Sequence, residues 1–325
     1  MTNIYIKSFN RAMYLDRCIR SIKAHARGYG TIIVLDDGSE EKFLEKIAQD
    51  HEDIIIRGSP NGAKKRQYVK DNYAENNNLR REVTDMGFDP AAFWVEEIKK
   101  DDNSFVLVME DDTWFRESID IVRVVKNMEE NNTLIFKLML CGRENAGKGS
   151  DVDIRVLFDD GFAMDYYTPL IKEILDVYQI FILCLAIYRK NYWINNFEGV
   201  GHYLDEIYTL NRALEYVMKL QSENVRVRFA RSASEIIHQS HMTTCRTDSG
   251  GMGVPVKIDN SLYNKAIDEA WLKGDLDPMS NFPDEIADDY LTSVFRRSLS
   301  DEEIGKWLLC RKSYNAMFDR IFEKM

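Results

Sequence analysis

The stretch Thr31-Ile32-Ile33-Val34-Leu35-Asp36-Asp37-Gly38-Ser39 carries an unbroken apolar, β-branched run into a turn bearing two carboxylates. A continuous run of that length, closed by Asp, Gly and Ser, reads as a buried strand ended by a turn. Upstream, Ile4-Tyr5-Ile6 is a shorter run of the same kind, ending in Ser8-Phe9-Asn10-Arg11. Between them, Leu15, Cys18, Ile19 and Ile22 recur at helical spacing within residues 14–26. Downstream, a helical stretch reaches Ile47, and residues 53–57 read as a third strand stopped by Ser59-Pro60-Asn61-Gly62. Strand-helix-strand-helix-strand predicts βαβ crossovers, and so an α/β fold whose Rossmann-like central sheet is mostly parallel with flanking helices. Ligands of such sheets lie beyond the carboxyl ends of the strands, which places residues 8–11, 36–39 and 61–66 on one rim.

Further along, Phe105-Val106-Leu107-Val108-Met109 is another buried strand and runs directly into Glu110-Asp111-Asp112. Clustered carboxylates repel one another unless a cation offsets them. Alternate side chains of an extended segment share a face, so Glu110 and Asp112 are candidate ligands of one hard divalent ion. Strand-like runs recur at residues 134–140, 154–158, 180–187 and 225–230, and residues 64–100 read as helical with a break near Gly87-Phe88-Asp89-Pro90. From residue 261 the pattern is helical, with Trp271, Leu291, Phe295, Trp307, Leu308 and Phe318 as expected anchors. The expected organisation is an α/β domain over residues 1–240, a glycine-rich loop over 241–260 and a helical extension over 261–325.

Composition narrows the function classes. The 325 residues carry 43 Lys+Arg against 54 Asp+Glu, a net charge of −11, with 45% hydrophobic residues. That balance supports a large core and argues against a non-specific nucleic-acid binder, which needs clustered cations. The 5 cysteines are widely spaced and odd in number, which suits a reducing cytoplasm. The start of the chain lacks the apolar core of a signal peptide, and the apolar run over residues 180–188 is far short of the ~20 residues of a membrane span. A cytoplasmic protein is therefore expected, one compatible with peripheral membrane association and with a homodimer. Gly142-Arg143-Glu144-Asn145-Ala146-Gly147-Lys148-Gly149-Ser150 approaches a phosphate-binding loop, but Gly149 stands where the Ser/Thr belongs and the following residues read as a strand.

Taken as an ordered set, these motifs resemble a family 2 glycosyltransferase of the GT-A fold. Residues 6–11 look like its first strand and turn, with Lys7 where proline is usual. Asp36-Asp37-Gly38-Ser39 resembles its second motif, in which Asp37 holds the nucleobase. Asn61-Gly62 and Arg66 are similar to its Asn-x-Gly…Arg-Asn segment, with Gln67 for the Asn. Glu110-Asp111-Asp112 takes the place of the Asp-x-Asp metal motif, with Glu for the first Asp. The resemblance implies Ser8, Asn10, Arg11, Asp37, Arg66 and Asp111 at the donor, and Mn2+ or Mg2+ on Glu110 and Asp112. His238 and His241 are candidates for a third ligand, ahead of a closing lid at Gly250-Gly251-x-Gly253. Leu204-Asp205-Glu206 with Arg212 resembles the motif of the catalytic base, which falls on Glu206 or on Asp205. The implied activity is hexosyl transfer from a nucleotide-diphosphate sugar, a UDP-sugar first, to a glycan, lipid-linked or protein acceptor, inverting, in glycan or polysaccharide biosynthesis. The competing readings are nucleotidyl or phosphoryl transfer, and a catalytically silent GT-A-like nucleotide-binding protein.

Overall fold

A computed structural model describes residues 1–72, 90–138, 152–169, 171–172, 174–183, 185–199, 206–240, 256, 258 and 260–322. In chain order the elements are β1 (Thr2–Ser8), α1 (Ala12–His25), β2 (Ala26–Arg27), β3 (Tyr29–Asp36), α2 (Glu41–Asp50), β4 (Ile55–Gly58) and α3 (Gly62–Asn72). There follow α4 (Pro90–Lys99), β5 (Phe105–Glu110), β6 (Thr113–Phe115), β7 (Ile119–Asp120), α5 (Ile121–Glu130), β8 (Thr133–Lys137), β9 (Val152–Leu157) and β10 (Ala163–Tyr167). The remainder is β11 (Ala186–Arg189), α6 (Lys190–Phe197), α7 (Glu206–Ser222), β12 (Arg228–Ser232), β13 (Ile237–Gln239), α8 (Asn260–Leu272), α9 (Asp288–Phe295) and α10 (Asp301–Phe322).

The main sheet has nine strands in the order β4-β3-β1-β5-β11-β8-β12-β10-β9. β4, β3, β1 and β5 are mutually parallel, as the βαβ reading requires. β11 runs against both of its neighbours and β10 against both of its own, so the sheet is mostly parallel with two reversed strands. Strand β11 is shorter than the apolar run over residues 180–187 predicts. A 3-10 turn covers Ile174–Gln179, and Leu185 sits at φ 62, a left-handed conformation that breaks an incoming strand just before Ala186. Upstream of it, Phe181 is buried by aromatic packing on Tyr192 and Phe197 instead of by sheet pairing.

Each face of the sheet is covered by its own apolar cluster. α1 shows why the helices form where they do: Met13, Leu15, Cys18, Ile19 and Ile22 are buried, and its face packs on β1, β5 and β6. The same cluster takes in Tyr263, Ile267, Trp271, Leu291, Phe295 and Trp307 from α8, α9 and α10. Leu308, expected as an anchor, is exposed, because α10 turns Trp307 and Cys310 inward. Cys18 and Cys310 are buried, and no helix among the described residues is long and apolar enough to cross a membrane.

One polar residue on the other face departs from core logic. Lys137, the last residue of β8, is buried opposite Arg231 of β12. Burial, reinforced by the Arg231 charge, pushes the Lys137 amine down to about 7. The folded value lies below the unfolded one, so folding releases a proton between about pH 7 and 10.5. The Lys137 contribution is thus fully present above about pH 10.5 and is lost progressively as pH falls to 7. Lys137→Met should flatten that slope. Urea midpoints measured from pH 7 to 10 check it, and an unchanged slope would reject the assignment.

Candidate functional site

Parallel register gathers the rim. Lys7 lies opposite Glu110 across β1 and β5, and Ser8 lies opposite Asp36 across β1 and β3. The loops that follow are therefore neighbours: Asp37 N donates to Ser8 O at 2.9 Å, and Asp111 N to Lys7 O at 3.1 Å. Asn10 N donates to Ser39 Oγ at 2.9 Å, with Asn10 held at φ 52, where Asn is better tolerated than most residues.

The Asp-Asp-Gly-Ser turn divides its two carboxylates. Asp36 turns back to accept from Gly38 N and Ser39 N at about 3 Å, which closes the turn. Asp37 is free of that task and pairs with Lys65 of α3, both side chains being buried. The Lys65 ammonium lies 4.1 Å from the centre of the Phe9 ring. Arg66, expected beside a diphosphate, donates to Gly38 O at 3.2 Å and to Ser39 O, bracing the turn from below. Gly38 and Gly62 touch backbone to backbone: a Cβ on Gly38, at φ 125, would lie 2.3 Å from Gly62 O. Gly38→Ala is therefore expected to cost about 2 kcal/mol or more, through strain and through separation of the two loops. Chemical denaturation measures it; a loss below about 0.5 kcal/mol would mean that the contact opens freely.

At the end of β5 every acid has a cation. Glu110 meets Lys7 at 3.1 Å, and Lys7 also lies over the Trp94 ring. Asp111 is wholly buried, accepts from Phe9 N at 3.1 Å and lies 2.5 Å from Arg11 Nη2. Asp112 accepts from Arg11 Nη1 at 2.6 Å. Burial pushes the Asp111 carboxyl above the usual carboxylate range, the Arg11 guanidinium opposing the rise and the Asp112 charge adding to it. These hard oxygen donors suit Mg2+ or Mn2+ in kind. Among the described residues no group of three or more His, Cys, Asp or Glu converges on one point.

The remaining candidates fall into two sets. His238 pairs across β13 and β6 with Trp114, its ring 4.8 Å from the indole, and its Nε2 is 3.2 Å from Glu285 Oε1. Those contacts turn it toward the helical extension, although its strand is tied to the site by Ser240 N donating to Asp112 O at 2.9 Å. Glu206 is the first residue of α7, a place that favours an acid. Arg212 of that helix donates to Asn195 O at 2.9 Å, joining α7 to α6. Asp205, His241, residues 142–150 and the glycine-rich segment 250–253 lie outside the described residues, as does the side chain of Glu206.

Sequence reasoning missed Asp268. This buried residue of α8 accepts from Met13 N at 2.8 Å, capping α1, whose own N-cap, Arg11, supplies no side-chain bond. A chemically apt but distant Asp leaves no local signal.

No family model matches the chain, and no curated protein matches it. Among solved structures, TarS 1-349 of S. aureus with UDP-GlcNAc is 13% identical, covering 94% of this chain and 78% of that one at a TM-score of 0.41. Core-mannan synthase A (CmsA/Ktr4) from Aspergillus fumigatus, in an Mn/GDP form, is 9% identical over 73% of this chain and 74% of that one, TM-score 0.39. The galactosyltransferase LgtC with donor and acceptor sugar analogues is 14% identical over 66% and 70%, TM-score 0.33.

Proposed function

We propose that the chain is a GT-A-type glycosyltransferase that moves a hexosyl group from a nucleotide-diphosphate sugar, a UDP-sugar first, to an acceptor hydroxyl. The observation that supports it is the single rim on which Asp37–Lys65–Phe9, Lys7 and Arg11, and Glu110-Asp111-Asp112 stand side by side. An aromatic ring with an acid and a lysine suits a nucleoside. Lys7 and Arg11 suit a diphosphate, which a guanidinium grips in bidentate fashion.

In this reading Glu110 and Asp112 hold Mn2+ or Mg2+, with His238 or His241 as a further ligand. When bound, the ion neutralises charge on the diphosphate. Glu206 or Asp205 takes the proton of the acceptor hydroxyl. The acceptor oxygen bonds to the anomeric carbon as the carbon–oxygen bond to phosphate breaks, and the electron pair leaves with the diphosphate. One displacement inverts the centre. Acceptor and pathway follow the same reading: a glycan, lipid-linked or protein acceptor, in glycan or polysaccharide assembly in the cytoplasm.

A thermal-shift screen of uridine, guanosine, cytidine and thymidine diphosphates and their sugars, with and without Mn2+, tests the proposal. A native-state ligand raises the midpoint. One nucleobase giving a Mn2+-dependent rise, lost in Asp112→Ala, is the expected result. A rise with triphosphates alone would replace the reading with phosphoryl or nucleotidyl transfer, and silence throughout would leave a non-catalytic protein.

A further inference from the structure

The sheet ends on a strand whose outer side no described strand pairs. β9 is last in the strand order and is bonded to β10 alone. Phe158 N donates to Phe162 O at 2.9 Å, which sets the alternation along the hairpin: Phe158, Val156 and Ile154 bond inward to β10. The N–H and C=O groups of Arg155 and Leu157 therefore point outward from the edge. The side chains around them are largely apolar. Ile154 and Leu157 are 39% and 70% exposed, and Val156 and Phe158 are half-buried where the apolar cluster that holds α1 reaches the surface. Edge strands are usually guarded by a charge or a bulge. Here Arg155 is drawn back onto the buried Asp165 by two hydrogen bonds of 2.6 and 2.9 Å, and the bulge falls at Asp153, outside the regular stretch 154–158.

We infer that β9 is a self-association edge: two copies of this chain join antiparallel through residues 154–158, about a two-fold axis at Val156, into one continuous sheet. The side chains choose the register. Centred on Val156, that valine opposes its own copy and Ile154 opposes Phe158 of the second copy, so one face of the new pair is apolar throughout. On the other face Arg155 opposes Leu157 of the second copy and lies diagonal to its Asp159, an opposite charge. The outward groups of Arg155 and Leu157 then bond each other in both directions, as the antiparallel alternation requires. Centred on Arg155, two arginines would oppose each other, and centred on Ile154 the pairing would run through the bulge at Asp153. Such a two-fold contact closes on itself and stops at two copies. The inference does not rest on the transferase reading, because β9 lies at the opposite end of the sheet from β4, β3 and β1.

Sedimentation velocity of the full chain at about 100 µM tests it, since an interface built on one short strand belongs to the small, weak class. Wild type should sediment as a dimer. Leu157→Pro removes an outward N–H and leaves the bonds to β10 in place, so it should sediment as a monomer with a melting midpoint near wild type. Ile154→Lys, at an exposed side chain facing Phe158 of the second copy, should do the same and covers the case in which proline disturbs the hairpin. Val156→Cys sets two thiols across the axis at disulfide distance and should cross-link under mild oxidation, where wild type and Ile154→Cys do not. A monomeric wild type at this concentration would overturn the inference, as would a dimer that survives both Leu157→Pro and Ile154→Lys. Cross-linking of Ile154→Cys but not of Val156→Cys would reject the register.

Discussion

A chain ending at residue 258 is expected not to fold. The segment 260–311 shares one apolar cluster with β1, α1 and β5, so its removal exposes that face of the sheet. Trp271 alone illustrates the scale: it is 2% exposed, and its Nε1 donates to Asp16 Oδ2 at 2.8 Å. Trp271→Ala should cost about 3–5 kcal/mol. Domains of this kind are stable by about 5–15 kcal/mol, so losing Tyr263, Ile267, Trp271, Phe295 and Trp307 together exceeds the total. Polar ties add to the apolar ones. The buried Arg17 guanidinium donates to Pro278 O and Ser280 O, and Trp114 Nε1 donates to Pro283 O at 2.7 Å. Far-UV circular dichroism and urea unfolding of the shortened chain test this. A soluble product with a cooperative transition would show that the extension is detachable, as a glycine-rich linker at residues 241–260 suggests.

That contrast shows what the sequence carries and what it hides. The alternation of apolar runs and turns up to residue 60 predicts β1, α1, β3, α2 and β4 within a few residues, because each element buries its own regular pattern. β6, β7 and β13 leave no such trace: they are two or three residues long and make their pairings far along the chain, as His238 does with Trp114. The rim acids are legible for the same local reason, since turn chemistry marks strand ends. Their partners are not. Lys7 in place of proline and Glu110 in place of aspartate look, in the sequence, like two independent departures from the motifs that the chain resembles. In the fold they are register neighbours and an ion pair at 3.1 Å, so one departure answers the other. The gap between positions 7 and 110 is closed only by sheet pairing, which no spacing rule reads.

The pair Asp37–Lys65 offers the second large effect and the sharpest test of the nucleoside assignment. Both side chains are buried, at 5% and 6% exposure. Removing one partner of a buried pair strands the other charge, at about 3–5 kcal/mol. Lys65→Met should therefore destabilise strongly, because Asp37 loses its counter-charge beneath Phe9. Adding Asp37→Asn removes the stranded charge and should restore most of the loss, giving a coupling energy of about 2 kcal/mol or more in the double-mutant cycle. Stability alone would suit a purely structural pair, so the deciding readout is nucleotide binding by the restored double variant. If Asp37 holds the nucleoside, that variant melts near wild type yet loses about tenfold or more in affinity for the diphosphate found in the thermal screen. A double variant that binds the diphosphate as tightly as wild type would make the pair a brace between β3 and α3, and would move nucleoside recognition to another part of the rim.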